Sequence, residues 1–179
     1  MEERIDSNKL FMETAILFSK RSTCLRKQVG GVLVKDGRIV STGYNGVPSG
    51  QEHCSKYFKD YFSNKKFPEL HEENNELLDY DEEFQKWIKS KEFYDIHREF
   101  SIYELHCEQN IISRAGINGV NTKDTSLYIT LSPCLSCATL LYSARINFII
   151  YLEKYDRDDK GIKFLNNNNI PCLHYKEGD

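Results

Sequence analysis

Residues 126–152, SLYITLSPCLSCATLLYSARINFIIYL, decide the fold. Ser126 to Leu131 is a short apolar run of strand-forming residues, the pattern of a strand buried on both faces. Pro133 opens a helix that continues through Tyr142. Asn147 to Leu152 (NFIIYL) is a second buried-type strand. A strand, a helix and a strand in immediate succession form a crossover, and the two strands pair in parallel. Further on, a short helix around Gly161 to Leu165, a turn at the asparagines 166–169 and a strand from Ile170 to Tyr175 repeat the alternation.

Toward the N-terminus, a helix starts near His106 and ends at Ala115-Gly116, with Gly116 as its stop signal. Earlier still, VGGVLVKDGRIVSTGYNG (29–46) reads as a hairpin. Val32, Leu33 and Val34 precede Asp36-Gly37, a two-residue turn signal, and Ile39 and Val40 follow it. Gly43, Asn45, Gly46, Pro48 and Gly50 then make a loop whose backbone can approach a ligand closely. Positions 7–20 form an amphipathic helix with Ser7 as its N-cap. Helices must cover both faces of such a sheet. The expected architecture is a three-layer α/β/α sandwich with a mixed sheet of about five strands. Residues 55–100 differ: they are rich in Lys, Glu, Asp, Phe and Tyr, and Glu82 to Phe93 reads as a mostly solvated helix. They are expected to be a helical or irregular insertion on the surface of one domain spanning 1–179.

The 179 residues fit that single domain, and 40% hydrophobic with 28% charged content excludes collagen-like, low-complexity and wholly disordered classes. No apolar run approaches the roughly 18–20 residues of a membrane helix. MEERIDSNKL has no signal-peptide pattern, so the expected setting is cytoplasmic. A net charge of −3 argues against a broad basic face for nucleic acid but leaves room for a single nucleotide. Six cysteines are many for an intracellular chain, where disulfides are rare, so metal or catalysis is the first expectation.

Cys134-Leu135-Ser136-Cys137 alone is ambiguous between redox, zinc and chance. Its place at the start of a helix, where i and i+3 side chains share a face and free N–H groups favour thiolates, points to zinc. A thioredoxin-like pair would usually follow the first strand of its domain. His106-Cys107-Glu108 supplies the other half. One His and two Cys leave a tetrahedral zinc with an open fourth position, the catalytic pattern, at which water is activated near neutral pH. Glu108 would be the proton shuttle rather than a ligand. Cys24 and Cys54 flank the hairpin, whose ends return close together, so the two could share a second ion.

H-x-E followed by P-C-x-x-C is the signature of zinc-dependent nucleobase deaminases. The chain resembles the deoxycytidylate (dCMP) deaminases of the zinc-dependent cytidine/deoxycytidylate deaminase family. The resemblance rests on Gln28 to Val32, Ser41 to Pro48, His106 to Asn110 and Thr130 to Cys137, in the family's order. Cys107 stands where the family usually has Ala or Val, and is read as packing. The resemblance implies hydrolytic deamination of dCMP to dUMP and ammonia, with zinc on His106, Cys134 and Cys137 and Glu108 as general acid–base. It also implies substrate contacts from Asn45, the backbone of Cys107, and Tyr155. Arg26, Lys27 and Arg114 are candidates for the phosphate anchor, though each reads equally as solvated surface charge.

A phage-type branch of these deaminases carries a second, structural zinc. By resemblance its ligands here are Cys24, Cys54, Glu104 and a histidine, with His97 expected and His71 and His53 as rivals. Two free buried cysteines are the bland alternative. The family is commonly homohexameric, activated by dCTP and inhibited by dTTP with Mg2+, so the same is expected here. Competing readings are a deaminase of another cytosine nucleoside or nucleotide or of a tRNA base, and a non-catalytic nucleotide-binding regulator. A partner-binding role for Tyr57, Phe58, Tyr61 and Trp87 is a further alternative, and these rings could equally pack the insertion onto its own domain. Cys172 and His174 read as ordinary structure.

Overall fold

Ile149 and Tyr128 sit on the central strands of a five-stranded sheet, and the computed structural model describes it within residues 4–66 and 77–176. In chain order the elements are α1 (Ser7–Ser19), β1 (Gly30–Lys35), β2 (Arg38–Tyr44), α2 (Cys54–Lys66), α3 (Leu77–Trp87), α4 (Lys91–Phe100), a single 3₁₀ turn (Ser101–Tyr103), α5 (Cys107–Ile117), β3 (Ser126–Leu131), α6 (Leu135–Ser143), β4 (Phe148–Glu153), α7 (Lys160–Asn167) and β5 (Cys172–His174). They divide into two units, one of residues 1–22, 28–45 and 106–179, the other of 23–27 and 46–105.

The first unit holds the sheet, in the order β2-β1-β3-β4-β5. β1 pairs antiparallel with both β2 and β3, whereas β3–β4 and β4–β5 are parallel, giving the expected mixed sheet. The hairpin turn is the two residues Asp36 and Gly37, both at positive φ (48° and 72°), as its type requires. One face of the sheet packs α1, where Phe11, Met12 and Ala15 meet Val32, Val34 and Tyr128. The other face packs α5, α6 and α7, with Ile111, Ala115, Ala138, Leu141 and Leu165 against Leu33, Leu127, Ile129 and Ile149. Helix, sheet and helix make the three layers.

Local details depart from expectation for stated reasons. The cap of α1 is Asp6, whose carboxylate accepts from the Lys9 N–H at 3.0 Å, so Ser7 lies inside the helix. Gly116 does not stop α5. Gly119 does, at φ +67°: its N–H bonds to Gly116 and the Val120 N–H reaches back to Ala115. The last strand is shortened to Cys172–His174.

The second unit is helical. The expected solvated helix at 82–93 is instead the end of α3, a break at Lys89-Ser90 and the start of α4, which Ser90 caps. Phe84, Trp87 and Phe93 from these helices are buried with Cys54, Phe58 and Phe62. The segment thus owns a core, built almost wholly from aromatic rings. Phe58 and Trp87 are inside it, so of the two readings of these rings, packing within the segment holds for this pair.

Candidate metal centres

Two clusters of metal-ligating side chains occur among the described residues, one in each unit. The first gathers His106, Cys134 and Cys137. His106 is the N-cap of α5 and its N–H is held by the Gln109 side chain at 2.7 Å, a reciprocal cap of the kind a short helix start needs. Cys134 is the N-cap of α6 and Cys137 lies one turn on. Two glycines let neighbouring elements pack closely on these helix starts. A Cβ on Gly43 would lie 2.7 Å from Ile111 of α5, and one on Gly161 would collide with the Pro133 carbonyl oxygen.

The Cys134 and Cys137 sulfurs lie 3.6 and 3.4 Å from His106 Nδ1. Bonds of about 2.3 Å to sulfur and about 2.0 Å to nitrogen at tetrahedral angles imply a sulfur–nitrogen edge of about 3.5 Å, so the set fits zinc. Without an ion the two thiols share one charge. The hydrogen bond from Cys137, helped by His106, lowers the Cys134 thiol to about 4. The same contact and burial raise Cys137. A bound cation removes both protons. Three donors leave one tetrahedral position open, and His106 and Cys134 are reachable from solvent.

Glu108, in the first turn of α5, is only 4% exposed. Burial pushes its carboxyl above the ordinary range, opposed in part by its own backbone N–H and by His106. Cys107 points elsewhere: its thiol donates to the Gly43 carbonyl at 3.3 Å and packs in the core, so it is no fourth ligand. Asn45, expected at the sugar, accepts the Val29 N–H with Oδ1 at 2.8 Å while its own N–H returns to the Val29 carbonyl at 3.0 Å. Tyr155 follows β4 as Cys134 follows β3, placing both at the carboxyl end of a parallel pair. Arg114 is exposed on α5, and Arg26 stacks over the Tyr94 ring at 4.1 Å in the second unit. Gln109 and Ser132 carry contacts the sequence reading passed over. The His-x-x-Gln spacing at a helix start was the available signal for the first.

The second cluster gathers Cys24, Cys54, His97 and Glu104, all within the helical unit. Cys24 lies 3.4 Å from His97 Nε2 and 3.5 Å from Glu104 Oε2, and Cys54 lies 3.5 Å from the same nitrogen. His97 stacks on Phe58 and is 2% exposed. Hydrogen bonds, first from Cys54 and then from His97 and the backbone N–H groups of Lys27 and Arg26, lower the Cys24 thiol to about 3 against the opposing effect of burial. Burial, then the neighbouring Cys24 charge, raises the Glu104 carboxyl to about 7. Glu104 Oε1 is buried without a hydrogen-bond partner. Two thiols, an imidazole and a carboxylate lie within 4.8 Å of one another in a dry setting, a donor set of the type and number that can hold a tetrahedral cation. His53 is exposed and outside the group, and His71 lies outside the described residues.

No described helix is long and apolar enough to cross a membrane. The chain is 33% identical over 175 residues to the deoxycytidylate deaminase of Enterobacteria phage T2, covering 92% of this chain and 93% of that protein. It is 34% identical over 154 residues to the deoxycytidylate deaminase of phage T4, covering 84% and 79%. The dCMP deaminase of cyanophage S-TIM5, solved with dCMP and dUMP, shares the fold with a TM-score of 0.66 at 24% identity, over 97% of this chain and 100% of that one. The model of the cytidine and deoxycytidylate deaminase zinc-binding region matches residues 5–153. That match runs through both the His106-Cys107-Glu108 and the Pro133-to-Cys137 stretches, and the chain belongs to the zinc-binding cytidine and deoxycytidylate deaminase family.

Proposed function

We propose that this protein hydrolyses dCMP to dUMP and ammonia. The observation that carries the reading is a buried carboxylate, Glu108, beside a three-donor zinc set left open at its fourth position. The phage relatives, similar along nearly the whole chain, supply the substrate. His106, Cys134 and Cys137 hold the zinc, which when bound supplies Lewis acidity that activates water at neutral pH. Glu108 moves the protons. Its carboxylate takes one from the attacking water, delivers it to N3 of the ring as C4 becomes tetrahedral, and passes the next to the departing amine. The partly dry environment that raises its pKa suits it to both directions of transfer. Asn45, the Cys107 backbone and Tyr155 are the proposed substrate contacts.

Cys24, Cys54, His97 and Glu104 hold a second, structural zinc in this reading. The closed, buried donor set supports it. Residues 1–179 then act as one deaminase domain with 46–105 elaborated inside it. Cytosolic surroundings keep all these thiols reduced. By family resemblance the assembly is a homohexamer activated by dCTP with Mg2+ and inhibited by dTTP. A hyperbolic dCMP saturation curve unmoved by either nucleotide removes that part.

The test is ammonia release from dCMP, CMP, deoxycytidine and dCTP in parallel, with zinc per chain measured on the same sample. Preference for dCMP with two zincs supports the whole reading. Release from another cytosine substrate alone replaces the substrate, and absence of zinc removes the mechanism.

A further inference from the structure

Ser132 directly follows the last rung of the β3–β4 ladder, Leu131–Glu153, immediately before the Pro133-Cys134 turn, and is 2% exposed. Its N–H donates to the Glu153 carbonyl at 2.8 Å, the bond a parallel ladder prescribes. The next rung of a regular ladder would join the Tyr155 N–H to the Ser132 main-chain carbonyl. That rung is replaced: the Tyr155 N–H donates to the Ser132 hydroxyl at 2.8 Å. The side chain takes over because the two chains part here, one turning into α6 with Cys134 as its cap, the other leaving the sheet at Glu153. From the same side, Gly161 of α7 lets its backbone press against the Pro133 carbonyl. Ser132 therefore ties the strand end that carries a zinc donor to the strand end that carries Tyr155.

We propose that Ser132 is a positioning residue for substrate binding, holding Tyr155 at the open side of the zinc set through the hydroxyl-to-backbone rung. The proposal rests on the reading of Tyr155 as a substrate contact. Ser132 is not among the metal donors: its hydrogen bonds go to Glu153 at the end of β4 and to Tyr155 beyond it. Removing the hydroxyl should loosen the loop at Tyr155 and leave the zinc donors and Glu108 in place. The signature is thus in KM and not in kcat.

The experiment is steady-state kinetics of dCMP deamination by zinc-loaded Ser132→Ala, Ser132→Thr, Tyr155→Ala and the double variant, with zinc per chain and melting temperature on each. Loss of one hydrogen bond that sets geometry predicts KM raised roughly five- to tenfold in Ser132→Ala, with kcat within about twofold. Zinc should stay at the wild-type level. Ser132→Thr, which keeps a hydroxyl, should restore KM. In the Tyr155→Ala background the Ser132→Ala effect should vanish, because the hydroxyl acts through that residue. A Ser132→Ala KM equal to wild type, or an effect that simply adds to Tyr155→Ala, overturns the proposal while leaving Tyr155 a substrate contact. A Tyr155→Ala enzyme with unchanged KM overturns the reading of Tyr155 and the proposal with it. A fall in zinc in Ser132→Ala assigns the residue to the metal site instead and also overturns it.

Discussion

The two metal-ligand clusters use the same chemistry, a pair of cysteines with a histidine, for opposite ends. In the first, the donors are the N-caps of two helices and a cysteine one turn into the second, one tetrahedral position is left over, and His106 and Cys134 face solvent. In the second, the donors come from a loop, two helices and the residue after a 3₁₀ turn, a carboxylate completes the set, and an aromatic core seals it. The sheet unit buries apolar side chains on both of its faces. The helical unit has a small core of rings, and small cores are commonly completed by a metal. Openness suits a site that water and a substrate must enter, and closure suits the proposed role of an ion that only joins segments.

The largest effect that tests this division is on turnover. Glu108→Gln keeps size and hydrogen-bonding capacity but cannot move protons, so kcat should fall on the order of 10²–10⁴-fold. Both zincs should remain, measured by atomic absorption, and the melting curve should barely move. A variant retaining more than a tenth of wild-type turnover would break the assignment of chemistry to the first cluster.

Cys54→Ala should give the converse result. It removes a buried donor from a set whose other members then lack their partner, costing on the order of 3–5 kcal/mol in the helical unit. Zinc per chain should drop by one, and the surviving folded fraction should keep its kcat at low temperature. Undiminished zinc content in this variant would sink the structural-metal assignment. The single tryptophan makes the contrast directly readable, because Trp87 lies in the aromatic core of the helical unit. Titration with a chelator should first abolish activity with little change in Trp87 emission. Emission should shift only as the second zinc leaves. Loss of both in one step, with one emission change, would mean that exposure does not separate the clusters.

Much of this was legible in the sequence. The crossover motif at 126–152 specified the parallel pairs, because buried strands and a capped helix follow one another with no competing pattern. His106, Glu108, Cys134 and Cys137 were legible because metal chemistry restricts both residue type and spacing, and the fold brings the three donors within 4.8 Å of one another. The helical unit was misread because ring-rich helices interspersed with charges look solvated: Phe84, Trp87 and Phe93 recur at intervals that mean burial only once their partners on α2 are known. Its donors, far apart in the chain, carried no spacing rule: the hairpin between them suggested that Cys24 and Cys54 meet, while His97 and Glu104 were reached through resemblance. The rung at Ser132 was invisible for a different reason. A side chain standing in for a main-chain carbonyl depends on where two strands part, and neither strand encodes that alone.

The smallest effect sharpens the comparison from the sheet side. Asp6 caps α1, accepting the Lys9 N–H, and α1 packs on one face of the sheet through Phe11, Met12 and Ala15. Asp6→Ala leaves that N–H without its acceptor and should cost roughly 1 kcal/mol. In a chain of this size that lowers the melting temperature by about 2–4 °C. The loss should appear in far-ultraviolet circular dichroism of the sheet unit, with both zincs retained and dCMP turnover unchanged at 25 °C. If the two units melt separately, the Trp87 transition stays where it was. If it moves by the same amount, the units unfold as one cooperative block, and the second zinc then stabilises the catalytic fold as well as its own unit.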